Sequence, residues 1–232
     1  MSKALEDCMK FNKAIAQNKL SIYTWGNVSV KDGTKNIRIK PSGVPFQTLT
    51  KKDVSLVDIK SGNLLSGKRQ SVDTLIHLEI YKAFPETKCV IHTHSTFLTS
   101  FAQAKKEVPI LGTTHADYFN HSIPVANQVQ LDETHIMETL VGQSVVDVAK
   151  QHFDVGTETM AVLIPCHGSI IWTENPSRII EYAIVLEEIA KLAYLTLTLV
   201  PNTQPNEQDL GVFKFHYLRK NGEKKYYGQN IR

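Results

Sequence analysis

Val90-Ile91-His92-Thr93-His94-Ser95 follows Lys88-Cys89 and opens as an apolar run suited to a buried strand, yet it gives two positions to histidine. Successive side chains of a strand point to opposite faces, so His92 and His94 share one face. Two imidazoles a pleat apart can share one ligand. Two hydrogen-bonded core histidines would read the same way, and His-x-His alone does not separate the two.

A third histidine weights the balance towards metal. His167 sits in Pro165-Cys166-His167-Gly168, at the end of the apolar run 160–164. Catalytic zinc sites use three protein ligands and leave a fourth position open. Cys166, beside His167, is a competing soft donor. His77, inside a helical pattern, and His152, near a helix end, read as surface or packing residues, and His115, His121 and His135 have no placement that decides their role. Asp73 opens a helical pattern, where a cap is the simplest role. A carboxylate facing a metal there could also coordinate it or move a proton.

Outward from this strand, residues 96–104 read as a helix. Residues 71–84 read as another, with Ile76, Ile80, Ala83 and Phe84 at helical spacing and Ser71 or Asp73 as N-cap. Residues 5–17 and 138–152 are further helices. Residues 22–30 are β-branched and aromatic, Asp32-Gly33 supplies a turn and 36–40 alternates, which predicts a hairpin running into Pro41-Ser42-Gly43. Residues 160–164 and 169–172 form a second hairpin. Asn175-Pro176 starts the longest helix, whose stripe is Ile179, Ile180, Ala183, Leu186, Ile189, Ala190 and Ala193. The pattern predicts one mixed α and β domain over residues 1–232, with helices on both faces of a sheet.

Composition fits that reading. The chain has 232 residues, 42% hydrophobic and 21% charged, enough for a sizeable core. The net charge is only +3, and the basic residues after Lys214, interleaved with aromatics, read as a solvated tail rather than a nucleic-acid site. Three scattered cysteines suggest no disulfide framework. No signal-peptide pattern opens the chain, and the apolar stretch 192–200 is too short to span a bilayer. The expectation is a soluble cytoplasmic protein.

Three loop segments look suited to a small phosphate: Trp25-Gly26-Asn27, Lys40-Pro41-Ser42-Gly43 and Gln70-Ser71-Val72. Glycine lets backbone N–H groups approach an anion, while hydroxyls and an ammonium add donors. None is a P-loop, and no G-x-G-x-x-G follows a strand.

Taken in order, these blocks resemble the L-ribulose-5-phosphate 4-epimerase family, in the superfamily shared with class II sugar-phosphate aldolases. The resemblance rests on Thr24-Trp25-Gly26-Asn27-Val28-Ser29, Ile39-Lys40-Pro41-Ser42-Gly43-Val44, His92-Thr93-His94-Ser95 and 112–119 around Asp117. It extends to Ile184-Val185-Leu186-Glu187-Glu188, 216–220 and Tyr226-Tyr227-Gly228-Gln229. The resemblance implies a three-layer α/β/α domain with a largely antiparallel sheet. It also implies a cyclic homotetramer with active sites between subunits, and 4-epimerisation of L-ribulose 5-phosphate to D-xylulose 5-phosphate by retro-aldol cleavage and re-addition. Zinc would be held by His92, His94 and His167, with Asp73 as ligand or acid/base; Mn²⁺ and Co²⁺ suit the same donors. Substrate contacts fall on Gly26, Asn27, Lys40, Ser42, Gly43, Ser71 and Val72, the acid/base pair on Asp117 and Tyr227, and second-subunit contacts on Glu138 and His216. Where the family commonly has two serines before the aspartate, this chain has Ser71-Val72. The rivals are a class II aldolase and a non-catalytic assembly domain like the adducin head, which lacks the histidine triad.

Overall fold

The computed structural model describes residues 2–130, 136–154 and 157–222. Its spine is a seven-stranded sheet in the order β4-β3-β2-β1-β5-β7-β6. The strands are β1 (Asn27–Asp32), β2 (Asn36–Ile39), β3 (Ser55–Asp58), β4 (Leu64–Ser66), β5 (Cys89–Thr93), β6 (Thr159–Ile164) and β7 (Gly168–Thr173). Every neighbouring pair runs antiparallel. β5 lies mid-sheet and is buried along its whole length. That is why its sequence reads as a continuous apolar run and not as an alternation.

Side-chain alternation divides the core in two. Val28, Val30, Ile91, Leu163 and Ile171 turn to the face covered by α1 (Lys3–Gln17), α3 (Thr96–Ala104) and α6 (Ile179–Leu199). Ile37, Ile39, Val90, Val162, Ile170 and Trp172 turn to the face covered by α2 (Thr74–Ala83) and α5 (Met137–His152). The three-layer α/β/α architecture with an antiparallel sheet is therefore present. α4 (Thr113–Ala116) packs against α6 and against α7 (Glu207–Asn221). No helix among the described residues is long and apolar enough to cross a membrane.

Three segments depart from the sequence reading. The first hairpin begins at Asn27, so the β-forming residues before it do not pair: Ile22, Tyr23 and Trp25 are exposed, and Tyr23 has φ +51°. The segment 207–221, part of the expected solvated tail, is helical, started by a reciprocal capping box between Asn206 and Asp209. None of its residues is buried in this chain. Strands β3 and β4 are short: β3 pairs with β2, and β4, the edge strand, pairs with β3.

His77, on the inner face of α2, is a packing residue and is wholly buried. Ser29 Oγ on β1 lies 2.8 Å from its Nδ1 and 3.0 Å from the Tyr81 hydroxyl. Burial, aided by His92 and opposed by Asp73, drives the His77 pKa from 6.5 to about 3. Between those values the unfolded chain binds the proton and the folded one does not. Stability is therefore complete above pH 6.5 and falls as the pH drops towards 3, by up to roughly 1.4 kcal/mol per pH unit for this group. Urea titrations of chelator-treated protein at pH 7, 6, 5 and 4 should show that decline. A flat profile would contradict it.

Candidate metal centre

His92 is placed by the middle of the sheet, opposite Asn27 on β1 and Ile170 on β7. His94 lies just past the strand end, where its backbone N–H donates to Ser21 Oγ at 3.0 Å. His167 comes from the turn between β6 and β7. Cys166 takes a left-handed conformation there (φ +59°), and its N–H donates to the Ala102 carbonyl. The three rings meet, with centroids 4.7–4.8 Å apart and those of His92 and His167 stacked.

The nitrogen chemistry suits a cation. His92 Nδ1 lies 2.9 Å from the Ser169 carbonyl oxygen, which only accepts, so in the neutral ring Nδ1 carries the proton and Nε2 is left as a lone pair. That lone pair has two other Nε2 atoms 3.0 Å away, from His94 and His167. One lone pair does not satisfy two N–H donors, whereas one cation satisfies three lone pairs. A tetrahedral zinc ion with Zn–N of about 2.0–2.1 Å sets N···N near 3.3 Å, close to the 3.0 Å of the two pairs that His92 makes. Among the described residues, His92, His94 and His167 are the group that could hold a metal ion, their ligand atoms all lying within 4.8 Å of one another. Burial and the two other imidazoles press the His94 pKa down to about 4, which keeps its ring neutral and ready to ligate at neutral pH. Cys166 is exposed and stands outside the group.

Asp73 borders the triad, its Oδ1 4.0 Å from His167 Nε2. It occupies the N-cap position of α2 but makes no side-chain cap bond. Its Oδ2 instead accepts from Asn27 Nδ2 at 2.8 Å and from Ser71 Oγ at 3.2 Å. The capping role is thus not the one its carboxylate performs. Burial raises its pKa, but His92, His77 and His167 outweigh that and leave it below the usual carboxylate value. Asn27 Nδ2 also donates to Ser71 Oγ at 3.1 Å, so both of its protons orient this cluster.

Lys40 is buried. Its Nζ donates to the Thr24 carbonyl at 3.0 Å and lies 4.9 Å from the Phe46 ring centre, so it ties two of the glycine-bearing loops together. Burial lowers its pKa to about 8, against the pull of Asp73. Ser42 and Gly43 are exposed, with Gly43 at φ +68°. Val72 is exposed at the rim of a cavity of about 330 Å³ that also reaches Asp73, Glu138, Cys166 and His167. Its apolar wall includes Ile76, Val141 and Ile164.

Asp117 and His216 meet each other. Asp117 Oδ1 is 3.1 Å from His216 Nδ1 and 3.7 Å from Arg219 Nη2, and its carbonyl accepts from Asn221. Tyr227 lies outside the described residues. Sequence reasoning missed Ser21 and Ser169, which orient His94 and His92. The Ser169 contact is a backbone carbonyl, for which residue type carries no signal.

A model of the class II aldolase and adducin N-terminal domain matches residues 6–194. The chain belongs to that class II aldolase family. Solved structures agree on the fold. An L-fuculose 1-phosphate aldolase superposes with a TM-score of 0.77 at 21% identity, over 94% of this chain and 97% of that one. YgbL from Escherichia coli, described as an aldolase/epimerase/decarboxylase, gives 0.71 at 21% identity, over 90% and 97%. The L-fuculose 1-phosphate aldolase from Glaciozyma antarctica PI12 gives 0.70 at 18% identity, over 94% and 85%. At these identities the likeness speaks for the class II aldolase fold alone.

Proposed function

We propose that this class II aldolase family chain is a metal-dependent L-ribulose-5-phosphate 4-epimerase. The observation that carries the reading is the convergence of three imidazole Nε2 atoms beside an oriented carboxylate. His92, His94 and His167 would hold the ion, Zn²⁺ by preference, with Asp73 as a fourth donor or proton carrier. A divalent ion bound there would supply Lewis acidity to a ketose.

The chain's own residues supply the rest. The C4 proton of the pentulose is not acidic, so inversion there requires the C3–C4 bond to break. As it breaks, the C4 hydroxyl gives up its proton and becomes an aldehyde, and the electron pair stays with the three-carbon fragment. Ser42, Gly43 and Ser71, with the Gly26 and Asn27 loop tied down through Lys40, keep hold of the phosphate while the aldehyde rotates. The pair of electrons then attacks the opposite face of the aldehyde, re-forming the C3–C4 bond, and the C4 oxygen regains a proton. Asp117 and Tyr227 take and return that proton, one on each side. In a homotetramer, Glu138, which lines the cavity beside His167, and His216, which meets Asp117, are the residues this reading sets against the neighbouring subunit. Exposed apolar side chains on α6 and α7, among them Leu192, Leu195, Leu199, Val212 and Phe215, support such association.

Zinc-loaded protein given L-ribulose 5-phosphate should form D-xylulose 5-phosphate, followed by NMR. Net release of dihydroxyacetone and glycolaldehyde phosphate without the epimer would make the chain an aldolase and reject this reading. Asp117→Asn and Tyr227→Phe should each lower turnover by about 10²- to 10⁴-fold with zinc content unchanged. Equal loss of zinc would mean that these residues serve the metal instead.

A further inference from the structure

Helix α3 begins two residues after His94, and its start is capped from elsewhere in the fold. Ser95 occupies the N-cap position with suitable backbone angles but makes no cap bond, and its buried hydroxyl has no partner. The first-turn donors are met by Glu187 of α6. The Phe97 N–H donates to Glu187 Oε1 at 2.9 Å and the Leu98 N–H to Oε2 at 3.1 Å. These are the donors that a capping side chain would satisfy, and a carboxylate suits the positive end of the helix dipole. α3 and α6 also pack against each other, with the Phe97 and Tyr194 rings 5.6 Å apart. The carboxylate therefore sets where α3 starts, and with it the path of the chain leaving His94.

We propose that Glu187 is a positioning residue for the metal centre. By clamping the two N–H groups at the start of α3, it completes the restraint on His94 that Ser21 supplies from the other side. His94 is the triad member that needs such support, because it lies beyond the ladder of hydrogen bonds that fixes His92. The inference rests on the reading of the triad as a metal site, and it concerns how tightly that site is formed.

Glu187→Gln keeps the shape and one acceptor oxygen but places an amide nitrogen against an N–H. Glu187→Ala removes both acceptors. Glu188→Gln, at the exposed neighbour whose carboxylate lies 3.7 Å from Lys191 Nζ, is the control. Zinc affinity is measured by competition with a chromophoric chelator, and ligand geometry by the visible absorption of the Co²⁺ form. Loss of an outer partner of a ligating residue typically weakens metal binding by 10- to 100-fold. Glu187→Gln should fall near the lower figure with altered Co²⁺ bands, while Glu188→Gln matches wild type. If Glu187→Ala fails to fold, Glu187→Gln still decides. A Glu187→Gln protein that melts earlier yet binds zinc with wild-type affinity and spectrum would overturn the inference and leave the metal site standing. A wild-type protein that binds no divalent ion would overturn both.

Discussion

Replacing His92 by alanine is expected to abolish stoichiometric metal binding and lower turnover by at least about 10³-fold while leaving a folded protein. His92 is 1% exposed at the centre of the sheet, and its ring touches both other imidazoles. Two nitrogens on a strand end and a turn make a poor site, because the remaining rings lose their common neighbour. The substitution also opens a cavity and leaves the Ser169 carbonyl without its donor, which together should cost about 2–4 kcal/mol of stability. Most of the sheet ladder is backbone and survives. Metal analysis, circular dichroism and product formation on one preparation check all three parts. Retained metal at wild-type stoichiometry would mean that the ion, if any, sits elsewhere.

The second large effect is expected at Gly26. This residue has φ +75°, and an added Cβ would stand 2.6 Å from the His92 carbonyl oxygen and 3.0 Å from Ser21 Oγ. The left-handed conformation alone costs a non-glycine residue about 1–2 kcal/mol. The clash adds to that, because one neighbour is the backbone of a central strand. Gly26→Ala should therefore lose about 3 kcal/mol and melt roughly 6–12 °C earlier. The two atoms that must yield belong to His92 and to the serine holding His94, so metal affinity should fall with stability. Thermal unfolding with and without zinc measures both. A wild-type melting temperature would show that the loop relaxes without strain.

Much of the layered fold was legible because its elements carry strong periodicity. The residue range 96–104 read as a helix is the observed α3, and the second hairpin and the long α6 stripe are where alternation and helical spacing put them, although Pro176–Arg178 form a 3₁₀ turn and α6 itself begins at Ile179. Propensity misled at Ile22–Trp25, where β-forming side chains stand exposed in a loop bordering the triad and Trp25 leans on His94 at 5.9 Å. α7 was missed because helical patterning is read from buried faces, and it has none in this chain. The triad was visible as residue types, but its closure depends on contacts far apart in sequence. The Ser169 carbonyl and the Glu187 carboxylate lie 77 and about 90 positions from the groups they hold. Asp73 shows the same limit: its position says cap, while its partners Asn27 and Ser71 turn it towards the imidazoles.

X-ray absorption at the zinc edge of the loaded protein tests the central claim most directly. The account predicts one zinc per chain with three imidazole nitrogens at about 2.0–2.1 Å and a light oxygen donor completing the shell. A sulfur at about 2.3 Å, the distance of a cysteine thiolate such as that of Cys166, or zinc below stoichiometry would contradict it.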